Sequence, residues 1–139
     1  MTPDGMVVLE SAYGPSETVT RLVAAIAEHG MALMARVDHA AAAAKAGLQL
    51  RPTEVLMFGN PRGGTLLMQA AQSAGIDLPL KALVWQDEAQ RTWVGYNDPH
   101  WIATRHGAGV SGAAVASAMT AALAAIAAAA TGATPRSTT

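Results

Sequence analysis

The run Phe58–Thr65, FGNPRGGT, is the densest group of residues in the chain whose types and order suggest chemistry. An apolar stretch ends there, a turn with Asn60, Pro61, Gly63 and Gly64 follows, and a helical pattern begins. A strand, a glycine-containing turn and a helix start together direct backbone N–H groups toward negative charge. Thr65 would add a hydroxyl and Arg62 a counter-charge. The spacing fits neither the P-loop nor the dinucleotide fingerprint, so it does not imply a nucleotide. The same residues also suit a tight strand-to-helix connection, with Asn60 bonding its own backbone and Gly63-Gly64 taking positive φ. Both readings stay open.

Lys81 interrupts the apolar stretch Leu78–Trp85, and strand alternation puts it with Leu83 and Trp85, opposite Leu80, Ala82 and Val84. On a covered face its ammonium needs a partner or a bound anion; on an open face it is simply solvated. His39 follows Asp38, a good helix cap. A neutral imidazole at a helix start can donate, accept or ligate a metal, and it can equally be a half-exposed first-turn residue. Tyr96 ends a strand beside the Asp98-Pro99 helix start, as a pocket hydroxyl or a core-edge aromatic. Seven methionines, among them Met31, Met34, Met57 and Met68, read as core filler, with axial ligation or an adaptable binding lining as the alternative.

Several chemistries find no support. His29, His100 and His106 form no i, i+4 pair and no carboxylate recurs beside them, so a zinc site is not indicated. The chain has 0 cysteines, which excludes a disulfide, a thiolate nucleophile and a cysteine-bound metal. It has no G-x-S-x-G nucleophile elbow, and no carboxylate pair stands in an apolar setting. The residues lean away from an enzyme, and catalysis with Lys81 or His39 as base stays as the alternative.

The elements that would carry these groups follow from the hydrophobic pattern. Met6–Ala12 reads as a strand; Pro15 opens a helix whose stripe is Val19, Leu22, Val23 and Ile26, ended by Gly30. Met31–Val37 is a strand, His39–Ala46 a short helix capped by Asp38, and Thr53–Gly59 a third strand. A helix then runs from the Asn60 turn to about Ser73. Leu78–Trp85 and Arg91–Tyr96 flank the polar turn Asp87–Gln90 as an antiparallel hairpin. Asp98-Pro99 starts a short helix to His106, and an alanine-rich helix follows. The resulting order, β-α-β-α-β-α-β-β-α, predicts an α+β domain over residues 1–130 with a disordered tail over 131–139. The terminal hairpin argues against a wholly parallel Rossmann sheet.

With 139 residues, 51% hydrophobic and 14% charged, the chain can bury one core. Nine basic against ten acidic residues give a net charge of −1, which does not suit a general nucleic-acid binder. The start, MTPDGMVVLE, lacks the basic residues of a signal peptide, so a cytoplasmic protein is expected. Gly107–Pro135 carries no charge and has the length of a membrane span. Val115, Met119, Ala122 and Ile126 form one stripe there, however, and predict a helix docked on a soluble core.

Taken together, Asp38-His39, Leu50-Arg51-Pro52-Thr53, Phe58-Gly59-Asn60-Pro61, Gly64-Thr65, Leu78-Pro79-Leu80-Lys81 and Tyr96-Asn97 resemble a bacterial and archaeal family called domain of unknown function 302. The resemblance runs from about Glu17 to Ala130. It implies a mainly antiparallel sheet backed by helices, similar to the TATA-binding-protein-like class, and homodimers. DNA binding does not come with that architecture. Convergence of these markers would outline one polar site from His39, Asn60, Gly64, Thr65, Lys81 and Tyr96. The first expectation is therefore a homodimeric module binding a small anionic or amphipathic ligand there. The alternatives are a haem or other cofactor protein with His39 as ligand, and a purely structural or protein-interaction domain.

Overall fold

The computed structural model describes residues 2–133. Its elements are β1 (Met6–Ser11), α1 (Pro15–Glu28), β2 (Ala32–Asp38), α2 (His39–Lys45), β3 (Thr53–Gly59), α3 (Pro61–Ala70), a 3-10 segment (Gln72–Asp77), β4 (Leu80–Gln86), β5 (Thr92–Asn97), α4 (Pro99–Arg105) and α5 (Gly109–Thr131). The five strands form one sheet in the order β1-β5-β4-β3-β2, and every neighbouring pair is antiparallel. The α+β class with an antiparallel sheet is as expected.

Alternation sorts the strand residues onto two faces. Leu56, Phe58, Leu80, Ala82, Val84, Val94 and Tyr96 are buried on one face, beneath Leu22 and Ile26 of α1, Leu67 of α3, Ile102 of α4 and Leu123 and Ile126 of α5. Each large side chain removed from water there contributes about 1.5–3 kcal/mol. Among the described residues no helix covers the other face, where registered rows read Glu10-Trp93-Trp85-Thr53, then Val8-Gly95-Leu83-Val55-Val37, with Lys81-Met57-Ala35 beyond. Asp87 orders the β4–β5 turn: its carboxylate accepts from the Ala89 and Arg91 N–H groups and from Trp93 Nε1, each at 2.8–2.9 Å.

Three sequence expectations need correction. The α3 helix stops at Ala70 instead of Ser73, and the chain tightens into the 3-10 segment before Leu78-Pro79 leads into β4. The predicted order counts one helix after the hairpin, whereas the short helix to His106 and the alanine-rich helix expected there are two, α4 and α5, with the positive-φ residues Gly107 and Gly109 between them. The folded unit also extends past residue 130. Thr131 is the last residue of α5 and is buried, and its carbonyl accepts from the Ala12 N–H at 2.9 Å. Gly132, with φ 76°, then closes the helix. The rest of the expected disordered tail, 134–139, lies outside the described residues.

Among those residues, α5 is one helix long and apolar enough to cross a membrane. In this fold it buries Ala116, Met119, Leu123, Ile126, Ala127 and Ala130 against the core. At Gly112 it runs close to α3: a Cβ there would lie 3.6 Å from Ala70 Cβ.

Candidate functional site

A cavity of about 350 Å³ opens between the end of β3, α3, the 3-10 segment and α5. Sequence places each of its walls. Asn60 caps α3, its Oδ1 accepting from Arg62 N at 2.9 Å, and Pro61 occupies the first helical position. Gly63 and Gly64 therefore lie in the first turn of a right-handed helix. Neither has the positive φ that the turn reading assigned them. A Cβ at either position would make only ordinary contacts, 3.4 Å from Met119 Cε at Gly63 and 3.8 Å from Leu78 Cδ1 at Gly64.

The cavity is apolar inside. Met34, Met68, Met119, Leu78, Pro79 and Leu80 supply its walls, while Asn60 and Thr65 supply polar atoms beside Gly59, Gly64 and Gly75. Met34 occupies an irregularity in β2, where the register with β3 shifts between Leu33 and Ala35, and it is 50% exposed. The helix start offers an anion little. Pro61 has no N–H, and Asn60 itself accepts from those of Arg62 and Gly64. Arg62 is exposed and does not line the cavity.

Of the six residues expected to converge, Asn60, Gly64 and Thr65 meet here; His39, Lys81 and Tyr96 do not line the cavity. His39 starts α2 and is exposed. Lys81 lies on the sheet face away from Leu80, and its ammonium donates to the carbonyls of Pro79 at 3.1 Å and Asp77 at 3.3 Å. That pairing turns it into a local cap on the 3-10 segment. Tyr96 is part of the core; burial, and then the nearby Asp98 charge, raise its phenol above the ordinary value. A haem held by His39 therefore has no place in this cavity. Sequence reasoning treated Met34 and Met68 first as filler, and the 3-10 wall carried no local signal.

A second, polar cleft of about 520 Å³ lies where α1 begins, lined by Ser16, Thr20, Arg36, Asp38, Glu54 and Gln86 among others. Its charges already satisfy one another. Arg36 Nε meets Glu54 Oε2 at 2.7 Å, a hydrogen bond that raises the guanidinium pKa, and Asp38 accepts from Ala41 N at 2.9 Å. The apolar cavity is the stronger candidate, because Asn60 and Thr65 stand there beside mostly apolar walls.

The fold is similar to the crystal structure of an uncharacterised conserved DUF302 protein from Bacillus stearothermophilus. The TM-score is 0.80 at 20% identity, covering 89% of this chain and 96% of that one. In sequence the chain is similar to proteins called fluoride-specific ion channel FluC 1 from Brucella suis biovar 1 and FluC 2 from Brucella melitensis biotype 1. Both are 47% identical over 107 residues, which is 77% of this chain. The chain spans about two-fifths of the length of those relatives, 42% and 40%. The family model described as domain of unknown function DUF302 matches residues 7–126, and the chain belongs to that family.

Proposed function

We propose that this chain is a binding module for a small amphipathic molecule, whose apolar body would fill the methionine-lined cavity while Asn60 and Thr65 meet its polar end. The observation that carries the reading is the cavity itself, about 350 Å³ with mostly apolar walls, within the range of small-ligand sites. Eight of its twelve lining residues (Gly59, Asn60, Pro61, Gly64, Thr65, Leu78, Pro79 and Leu80) belong to the segments that mark the family. Methionine suits an adaptable lining because its thioether is polarizable and its chain unbranched. An anionic ligand is less well served, since the helix start spends its N–H groups on Asn60.

The test is titration with the neutral dye N-phenyl-1-naphthylamine in wild type and Gly64→Leu. The added side chain would occupy the cavity, and leucine favours the helix more than glycine does. Binding should weaken at least about tenfold with unchanged circular dichroism. Equal binding in both proteins would sink the reading.

Homodimerisation is part of the same proposal, with a second copy covering the open sheet face. Five strands spaced about 4.8 Å apart make that face roughly 24 Å wide, and six or seven residues make it about 20 Å long. The plan area of roughly 500 Å² approaches one side of a standard interface. Lys81 and Glu10, of opposite sign, are the charges among its described residues, so two copies can pair them. One lysine against one glutamate gives little for a phosphate backbone. As for the Brucella relatives, we assign channel activity to the part of those proteins outside the match, because an apolar helix that packs into a core supplies no ion path.

A further inference from the structure

Three side chains away from the cavity form a relay that the binding reading does not use. The 3-10 segment presents Ser73 and Asp77, and the residue just after α4 is His106, which reaches both. Ser73 Oγ lies 2.7 Å from His106 Nδ1, and His106 Nε2 lies 2.6 Å from Asp77 Oδ2. The imidazole is 8% exposed and the carboxylate 15%, whereas Ser73 is open to solvent. Arg105 Nη1 donates to both Asp77 oxygens, at 2.9 and 2.8 Å.

These contacts set the proton inventory. Burial opposes ionisation of Asp77, but hydrogen bonds and charge from His106 and Arg105 outweigh it and hold the carboxyl below its ordinary range. An ionised Asp77 takes the Nε2–H, which leaves the Nδ1 lone pair to accept the Ser73 proton. The order of function is that of a serine–histidine–aspartate triad, with the two ring nitrogens exchanged relative to the serine-protease arrangement.

We propose that Ser73 is a nucleophile toward small acyl esters, with His106 as general base and Asp77 as the positioning residue. Ser73 Oγ adds to the ester carbonyl carbon while its proton moves to His106 Nδ1. The adduct expels the alkoxide, which leaves as the alcohol with that proton. Water, deprotonated by the same nitrogen, then releases the acid and restores the serine. One 3-10 turn on, Ile76 is 75% exposed and gives a short acyl chain an apolar rest. Ser73, open to solvent, suits small, unhindered esters.

A fluorophosphonate probe tests the nucleophile, and p-nitrophenyl acetate tests turnover. We expect a single adduct, mapped by peptide mass to Ser73, with hydrolysis reduced about tenfold or more in Ser73→Ala. Ser73 is exposed, so that variant should fold; His106→Gln, checked for native circular dichroism, should lose the adduct as well. No adduct, an adduct on another hydroxyl, or wild-type hydrolysis by Ser73→Ala would overturn the assignment. Dye binding in the cavity should be the same in wild type and Ser73→Ala, so this proposal and the cavity reading fail separately.

Discussion

Asp77 does two jobs with one carboxylate: it holds His106 in register with Ser73, and with Arg105 it fastens the 3-10 wall of the cavity to the end of α4. Its acidity is raised on folding, so the stabilisation is full above the ordinary value of 3.8 and fades as pH falls through the lower folded value. Asp77→Asn should cost about 1.5–3 kcal/mol near neutral pH, the scale of hydrogen bonds to charged groups. Urea unfolding at a series of pH values checks this: the gap between variant and wild type should close below about pH 4. A gap that persists in acid would show that the loss is not electrostatic. Local chemistry of this kind was partly legible. The Asn60 cap and the sheet face of Lys81 follow from neighbours in sequence. The relay does not, because His106 arrives 29 residues after Asp77, from another element.

The elements themselves were the most readable part, since each carries its own period. Val19, Leu22 and Ile26 on α1 and Met119 and Ile126 on α5 are buried as their stripes require, while Val115 and Ala122 of the α5 stripe are half-buried. Boundaries were less secure where tertiary contact decides them. Thr131 looks like tail by composition, yet the Ala12–Thr131 hydrogen bond and burial make it helix. A methionine lining was legible only as an alternative for the same reason, as Met34, Met68 and Met119 come from three elements. Helix α5 also gives a clean contrast. Leu123→Ala, at 2% exposure, should lower stability by about 2–5 kcal/mol. Val110→Ala, at 90% exposure, should change it by no more than about 0.5 kcal/mol. Denaturant midpoints of the two variants decide whether α5 is docked on the sheet as described.

Strand neighbours are a property of the assembled molecule, and nothing local in the sequence placed β1 beside β5 at the far edge from β2. That order leaves one face under helices and the other bearing Trp85, Trp93, Leu83, Val55 and Val37. It also explains why the six marker residues did not converge. Lys81 and Leu80 are adjacent in sequence, yet alternation sends them to opposite sides of the sheet. Light scattering after size exclusion should report a dimer for wild type. Leu83→Arg, a charge in the middle of the open face, should give a folded monomer. A wild-type monomer would remove the dimer from the proposal, and a dimeric variant would move the interface elsewhere.

The irregularity at Met34 has one more consequence. β2 is one of the two edge strands, exposed at each of its seven positions, with one side unpaired among the described residues. Such an edge invites a strand from another chain and from there fibril growth. The register shift between Leu33 and Ala35 breaks the ladder within β2, and Arg36 and Asp38 charge the remainder. Removing residue 34 would restore an uninterrupted edge while taking one thioether from the cavity wall. The proposed ligand site and the interrupted edge thus share the same extra residue.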